Sequence, residues 1–135
     1  MIIKNLRIVT LDKVIENGYL KFENGIITEI GTNYDGVDVI DGNNQIAMPC
    51  FIDIYTHGSC GIDFMDAVEE DYEAIASAFY EEGIASFLAT TLTSDLESMK
   101  RVCTTVRNVR NNIPSLVGVH LEGPYIKKNY KGGSK

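Results

Sequence analysis

With 135 residues, 44% of them hydrophobic, the chain can bury a core and suits one modest domain, or a small domain with part of a larger one. A formal net charge of -7 with no basic stripe argues against nucleic acid or an anionic membrane surface as a partner. Cys50, Cys60 and Cys103 are odd in number and lack Cys-x-x-Cys spacing, which points to reduced thiols and the cytoplasm; no apolar run is of bilayer length, and charge breaks the N-terminal apolar residues too early for a signal-peptide core.

Residues 1–47 read as β structure. Ile2, Ile3, Leu6, Ile8 and Val9 make one apolar segment. Tyr19 to Phe22 meets Ile26 to Ile30 across Glu23-Asn24-Gly25, and Asn-Gly between two such runs is a hairpin signal because both residues tolerate positive φ. A further strand is expected from Val37 to Ile40, before the turn Asp41-Gly42-Asn43-Asn44. Together these predict a small antiparallel sheet.

From residue 48 the rhythm becomes strand, helix, strand, helix, strand, the alternation of a parallel sheet with crossover helices. Met48 to Ile54 reads as the first strand. A helix is expected from Asp66 to Glu82, with Ile75, Ala76, Ala78 and Phe79 at helical spacing, Glu69, Glu70 and Asp71 at its positive end, and Gly83 closing it. Ile84 to Thr90 is the second strand. Ser94 or Asp95 can cap the next helix, whose apolar face is Leu96, Met99, Val102, Cys103 and Val106. Pro114 to Val119 is a buried third strand, leading into His120-Leu121-Glu122-Gly123-Pro124. Three such strands cannot close a barrel and leave both sheet edges open. The expectation is the front part of a larger enzyme, or a truncated relative that needs a partner over its edges.

Two strands thus deliver polar groups at their C-terminal ends, where chemistry collects in parallel α/β folds. Glu122, His57 and His120 are the candidate metal ligands, since a carboxylate with imidazoles suits zinc or iron. His120 and Glu122 lie two apart, so an extended backbone points both to one face. Each has a bland counterpart. Either histidine can support a ligand by hydrogen bonding instead, and Glu122 can sit in a buried ion pair. Asp53, between Ile52 and Ile54, reads as a group that holds neighbours by hydrogen bonds rather than as a catalyst. The loop Lys131-Gly132-Gly133-Ser134 offers backbone N–H groups to an oxygen-rich ligand, or is simply a disordered terminus.

These residues resemble the amidohydrolase superfamily and, within it, the N-acetylglucosamine-6-phosphate deacetylases. The matching pieces are Val39-Ile40-Asp41-Gly42 to Met48-Pro49, Phe51 to Gly58, Gly61-x-Asp63-x-x-Asp66-Ala67, Glu82 to Thr91, and His120 to Ile126. The last of these is the specific one. The resemblance implies an α/β fold in which residues 1–47 are a small N-terminal β-sheet, part of a β-sandwich. Residues 48–135 are then the first three β/α units of an incomplete TIM-like (β/α)8 barrel. It implies hydrolysis of N-acetylglucosamine 6-phosphate to glucosamine 6-phosphate and acetate, with zinc or iron held by Glu122 and His57. In that scheme His120 and Asp53 support the site, and Gly133 and Ser134 contact the sugar. No catalytic acid or base is carried in the chain; that group and two later histidines are expected beyond Lys135, so the piece alone is expected to be inactive.

Three positions depart from the family pattern: Tyr55 stands where many amidohydrolases have the first His of a His-x-His pair, Cys50 where a Gly is usual, and Ser134 where many members have His. They open a second reading, a noncatalytic decayed paralogue or a module that self-associates, as a homo-oligomer, through its sheet edges. A third, a cyclic-amide hydrolase such as a dihydroorotase, is disfavoured by Glu122-Gly123-Pro124.

Overall fold

The computed structural model describes residues 1–126 and 129. The chain divides into two compact units, Met1–Pro49 and Cys50–Lys135. Among the described residues no helix is long and apolar enough to cross a membrane.

The first unit is a five-stranded sheet of β1 (Ile2–Val9), β2 (Val14–Glu23), β3 (Ile26–Thr32), β4 (Ile40–Asp41) and β5 (Ile46–Ala47). β1, β2 and β3 are antiparallel, and the β2–β3 hairpin turns at Asn24 and Gly25, both with positive φ as the turn chemistry requires. Leu6, Ile8 and Leu20 form its small core. The expectation of a purely antiparallel sheet is corrected: β4 and β5 run parallel to β1, pairing Ile3 with Ile40 and Arg7 with Ile46. The free edge of β1 recruits these short segments, which carry too few residues for any local period to show. The strand expected at Val37–Ile40 is likewise reduced to Ile40–Asp41, and Val37 is 84% exposed.

The second unit follows the expected alternation: β6 (Phe51–Thr56), the short hairpin β7 (Gly58–Ser59) and β8 (Ile62–Asp63), α1 (Asp71–Glu81), β9 (Ile84–Thr90), α2 (Leu96–Val109) and β10 (Leu116–His120). β6, β9 and β10 make a parallel sheet with β9 in the middle. Tyr72, Ile75 and Phe79 of α1 and Val102, Val106 and Val109 of α2 pack in one cluster with Phe87, Ala89 and Leu116 of the sheet.

Helix α1 starts five residues later than its periodicity predicts. Asp63 accepts the Met65 N–H through Oδ1 at 2.8 Å, and its carbonyl accepts from Asp66 and Ala67; Asp71 Oδ2 then takes the Val68 N–H at 2.9 Å. These local bonds hold residues 63–70 in turns that compete with helix. At the other end the helix closes at Gly83, φ 82°, as expected. α2 begins at Asp95, whose Oδ1 accepts the Ser98 N–H at 2.9 Å. Leu96, expected in the core, is instead 50% exposed: as the first residue of the helix it lies ahead of the face that Met99, Val102 and Val106 bury.

Candidate functional site

The C-terminal ends of β6, β9 and β10 gather side chains that lie far apart in the chain. His57 follows directly on β6 and is anchored by what comes next. Gly58 has φ 150°, and a Cβ built there would stand 1.9 Å from the Ile62 carbonyl oxygen, so only glycine lets β7 turn back on β8. The Phe64 N–H then donates to the His57 carbonyl at 2.8 Å.

Glu122 lies two residues past the end of β10. Its N–H donates to Thr91 Oγ1 at 3.1 Å, and its carbonyl accepts from Thr93 Oγ1 at 3.4 Å. Gly123 follows with φ 81°, and a Cβ on it would fall 2.7 Å from Thr93 Oγ1.

Two groups converge on one oxygen of the carboxylate. Tyr55 Oη donates to Glu122 Oε2 at 2.7 Å, and His57 Nε2 lies 3.4 Å from the same atom. The other ring nitrogen, His57 Nδ1, faces the Thr90 carbonyl oxygen at 3.3 Å. Both neighbours of the ring are acceptors: the Thr90 carbonyl suits a proton on Nδ1, and the Glu122 carboxylate suits one on Nε2. The Glu122 hydrogen bond first, then desolvation and the charge of the carboxylate, push the Tyr55 phenol above its ordinary pKa. The His57 and Glu122 side chains are 33% and 27% exposed, so the pair is open to a ligand from solvent.

Across 3.4 Å the carboxylate oxygen and the ring nitrogen are bridged by a proton on Nε2 or, with the proton on Nδ1, by a cation. Two ligand atoms each about 2.0–2.1 Å from a tetrahedral zinc stand about 3.3 Å apart, so the donor set fits two places of a metal site. Among the described residues no group of three or more His, Cys, Asp or Glu completes it.

The other expected site residues are placed as follows. Asp53 accepts the Tyr55 N–H through Oδ1 at 3.0 Å. The ring of His120 stands 5.3 Å from that of Tyr55, and its Nδ1 is buried with no hydrogen-bond partner among the described residues. β10 ends at His120, so the extended stretch expected to carry His120 and Glu122 on one face stops short of Glu122. Gly133 and Ser134 lie outside the described residues.

Sequence reasoning missed Thr90, Thr91 and Thr93 as site residues, and saw Tyr55 only as a departure. The signal available was two consecutive threonines ending an apolar strand: both are fully buried, and buried hydroxyls need partners.

No protein-family model matches the chain. An N-acetylglucosamine-6-phosphate deacetylase of Bacillus subtilis (strain 168) is 32% identical over 98% of this chain and 36% of its own length. An N-acetylgalactosamine-6-phosphate deacetylase of Escherichia coli O157:H7 is 27% identical, over 97% of this chain and 35% of its own. The crystal structure of N-acetylglucosamine-6-phosphate deacetylase from Thermotoga maritima superposes with a TM-score of 0.83 at 33% identity, over 100% of this chain and 35% of that one. The chain spans about a third of the length of the curated relatives it matches.

Proposed function

The chain belongs to the N-acetylglucosamine-6-phosphate deacetylase family, and from that premise we propose that it supplies part of a divalent-metal site that hydrolyses the 2-acetamido group of N-acetylglucosamine 6-phosphate. The observation that carries this reading is the 3.4 Å approach of His57 Nε2 to Glu122 Oε2, with the Thr90 carbonyl placed to accept from Nδ1–H when Nε2 serves as a ligand.

Zinc or iron bound there supplies a polarised amide carbonyl and a water whose pKa falls to about 7. Glu122 is the anionic ligand and His57 the neutral one. Tyr55 holds the carboxylate by its hydrogen bond, Asp53 and His120 support the strand ends, and Gly133 and Ser134 contact the sugar. The remaining ligands, and the acid that carries a proton to the leaving amine as the C–N bond breaks, belong to the part of the family that these residues do not span. In this reading the 135 residues alone do not turn over. The first unit is part of a β-sandwich, and β6, β9 and β10 are the first three strands of a (β/α)8 barrel. Either further barrel strands or a second copy covers the open edges of β6 and β10. Free cysteines at Cys50, Cys60 and Cys103 support a cytoplasmic location.

The test is a chimera in which this chain replaces the corresponding third of the Thermotoga maritima deacetylase, assayed for acetate release with zinc or iron. The chimera is expected to be active, the 135-residue chain inactive, and Glu122→Ala in the chimera at least about 100-fold slower. A chimera that folds and takes up metal yet releases no acetate would overturn the assignment. Turnover by the chain alone would overturn the need for further residues.

A second reading, a noncatalytic module that self-associates, is favoured by the edge strand β6, where Phe51, Ile52 and Ile54 are 57%, 68% and 64% exposed. A stable oligomer without bound metal, seen by sizing and metal analysis, supports it; retained stoichiometric metal rejects it.

A further inference from the structure

We propose that Thr90 and Thr91 are a positioning pair that sets the separation of His57 and Glu122, one threonine serving each flanking strand. The inference rests on the His57–Glu122 pair of the proposed site. Both threonines are 0% exposed, at the end of the middle strand.

Thr90 works toward β6. Its Oγ1 accepts the Thr56 N–H at 3.2 Å, and its carbonyl faces His57 Nδ1 at 3.3 Å. Thr91 works toward β10. Its N–H donates to the His120 carbonyl at 3.0 Å, and its Oγ1 accepts the Glu122 N–H at 3.1 Å.

Both hydroxyls stand in for bonds that the sheet no longer supplies. The β6–β9 pairing is irregular between Asp53 and Thr56, so the Thr56 amide turns to a side chain for its acceptor. Beyond His120 the chain has left β10, so the Glu122 amide does the same. Both amides are partly buried and each takes a partner, one residue before, or at, the residue whose side chain enters the site. A valine at either position keeps the shape and removes the acceptor.

The experiment reads the two ends separately, in the 135-residue chain, without metal or substrate. The chain has two histidines, so ¹⁵N-histidine labelling gives a simple long-range ¹H–¹⁵N spectrum at a pH where both rings are neutral. The parent spectrum gives the reference ring shifts of His57 and His120. Thr90→Val keeps the carbonyl but removes the acceptor of the Thr56 N–H, so it is expected to displace the His57 ring ¹⁵N shifts and speed exchange of the Thr56 amide about tenfold, leaving His120 unchanged. Thr91→Val is expected to leave the Thr56 amide at its parent rate and speed exchange of the Glu122 amide about tenfold. Thr90→Ser and Thr91→Ser, which keep the hydroxyl, restore the parent signals. A folded Thr90→Val chain with parent His57 shifts and parent exchange at Thr56, or a folded Thr91→Val chain with parent exchange at Glu122, overturns the proposal. Where a valine variant does not fold, the serine variant decides: parent signals support the pair, and a faster Thr56 or Glu122 amide rejects it. No arm measures acetate release, so failure here leaves the deacetylase reading standing, and an inactive chimera leaves the pair standing.

Discussion

Tyr55 and Glu122, 67 residues apart, are joined by a 2.7 Å hydrogen bond from the phenol to the carboxylate oxygen that faces His57. The phenol therefore fixes which oxygen of Glu122 the imidazole meets. Tyr55→Phe removes the donor while keeping a ring beside those of His57 and His120. Zinc affinity of the chain, measured by titration calorimetry, is expected to fall about tenfold. Equal affinity would show that the phenol does not orient the carboxylate.

Phe87 is the hub of the second unit's core: it is 0% exposed, with its ring stacked on Phe64 at 6.1 Å and edge-on to Phe79 at 4.8 Å. Phe87→Ala is expected to cost about 3–5 kcal/mol in urea unfolding, through lost burial plus the cavity left behind. A loss below about 1 kcal/mol would mean that the helices do not rest on this ring.

Gly58→Ala forces a Cβ onto the Ile62 carbonyl oxygen. The hairpin after His57 must open, and the loss is expected to exceed about 1 kcal/mol, since the native φ is incompatible with a side chain. In ¹⁵N-histidine spectra the His57 signals should move while those of His120 hold. A variant as stable as the parent would contradict the backbone path through Gly58.

Asp95 reports on α2 through pH. Its pKa is lowered, first by the Ser98 backbone N–H and then by the Ser98 hydroxyl. A carboxyl depressed in the folded state stabilises above its unfolded pKa, and that contribution is lost as pH falls through the lower folded value. Circular dichroism during acid titration should therefore show the parent losing stability in that window. Asp95→Asn keeps a capping oxygen and should flatten this part of the pH profile; an unchanged profile would count against the cap.

Tyr72 sets an alkaline limit. Burial, then the charge of Asp71 and a lesser effect of Cys103, push its pKa to about 12, and its hydroxyl has no partner among the described residues. A raised pKa means its contribution is intact below the ordinary tyrosine value and is lost as pH climbs toward 12. Tyr72→Phe removes the orphan hydroxyl, so stability at neutral pH is expected to rise by about 1 kcal/mol and the alkaline loss to shrink. A destabilised variant would mean that the hydroxyl is satisfied in solution.

The elements legible in the sequence were those whose cause is local. Asn24-Gly25 carries its own turn preference, Asp95 stands one residue before an amphipathic run, and Ile84 to Thr90 is bounded by Gly83 and a polar stretch. What was not legible depends on partners distant in the chain. β4 and β5 exist because β1 has an unfilled edge, and the side chains of Asp63 and Asp71 delay α1 by taking backbone N–H groups that composition does not reveal as taken. The site divides the same way. Glu122 and His57 stood out as polar groups at the ends of apolar strands, whereas Thr90 and Thr91 looked like the close of a strand, because their acceptor role appears only once β6 and β10 lie beside β9.

The contacts that span the three strand ends also impose an order on assembly. His57 reaches 33 residues forward to Thr90, and the Glu122 amide reaches 31 residues back to Thr91. Closing such loops costs entropy before any of these bonds can form, so they come after the local hairpin and helices. A chain in which β10 has not yet docked holds neither the Tyr55–Glu122 bond nor the His57–Glu122 approach, however well β6 and β9 have paired. The convergence of Tyr55 and His57 on one oxygen of Glu122 is thus a completion signal, present only in molecules whose third strand is already home.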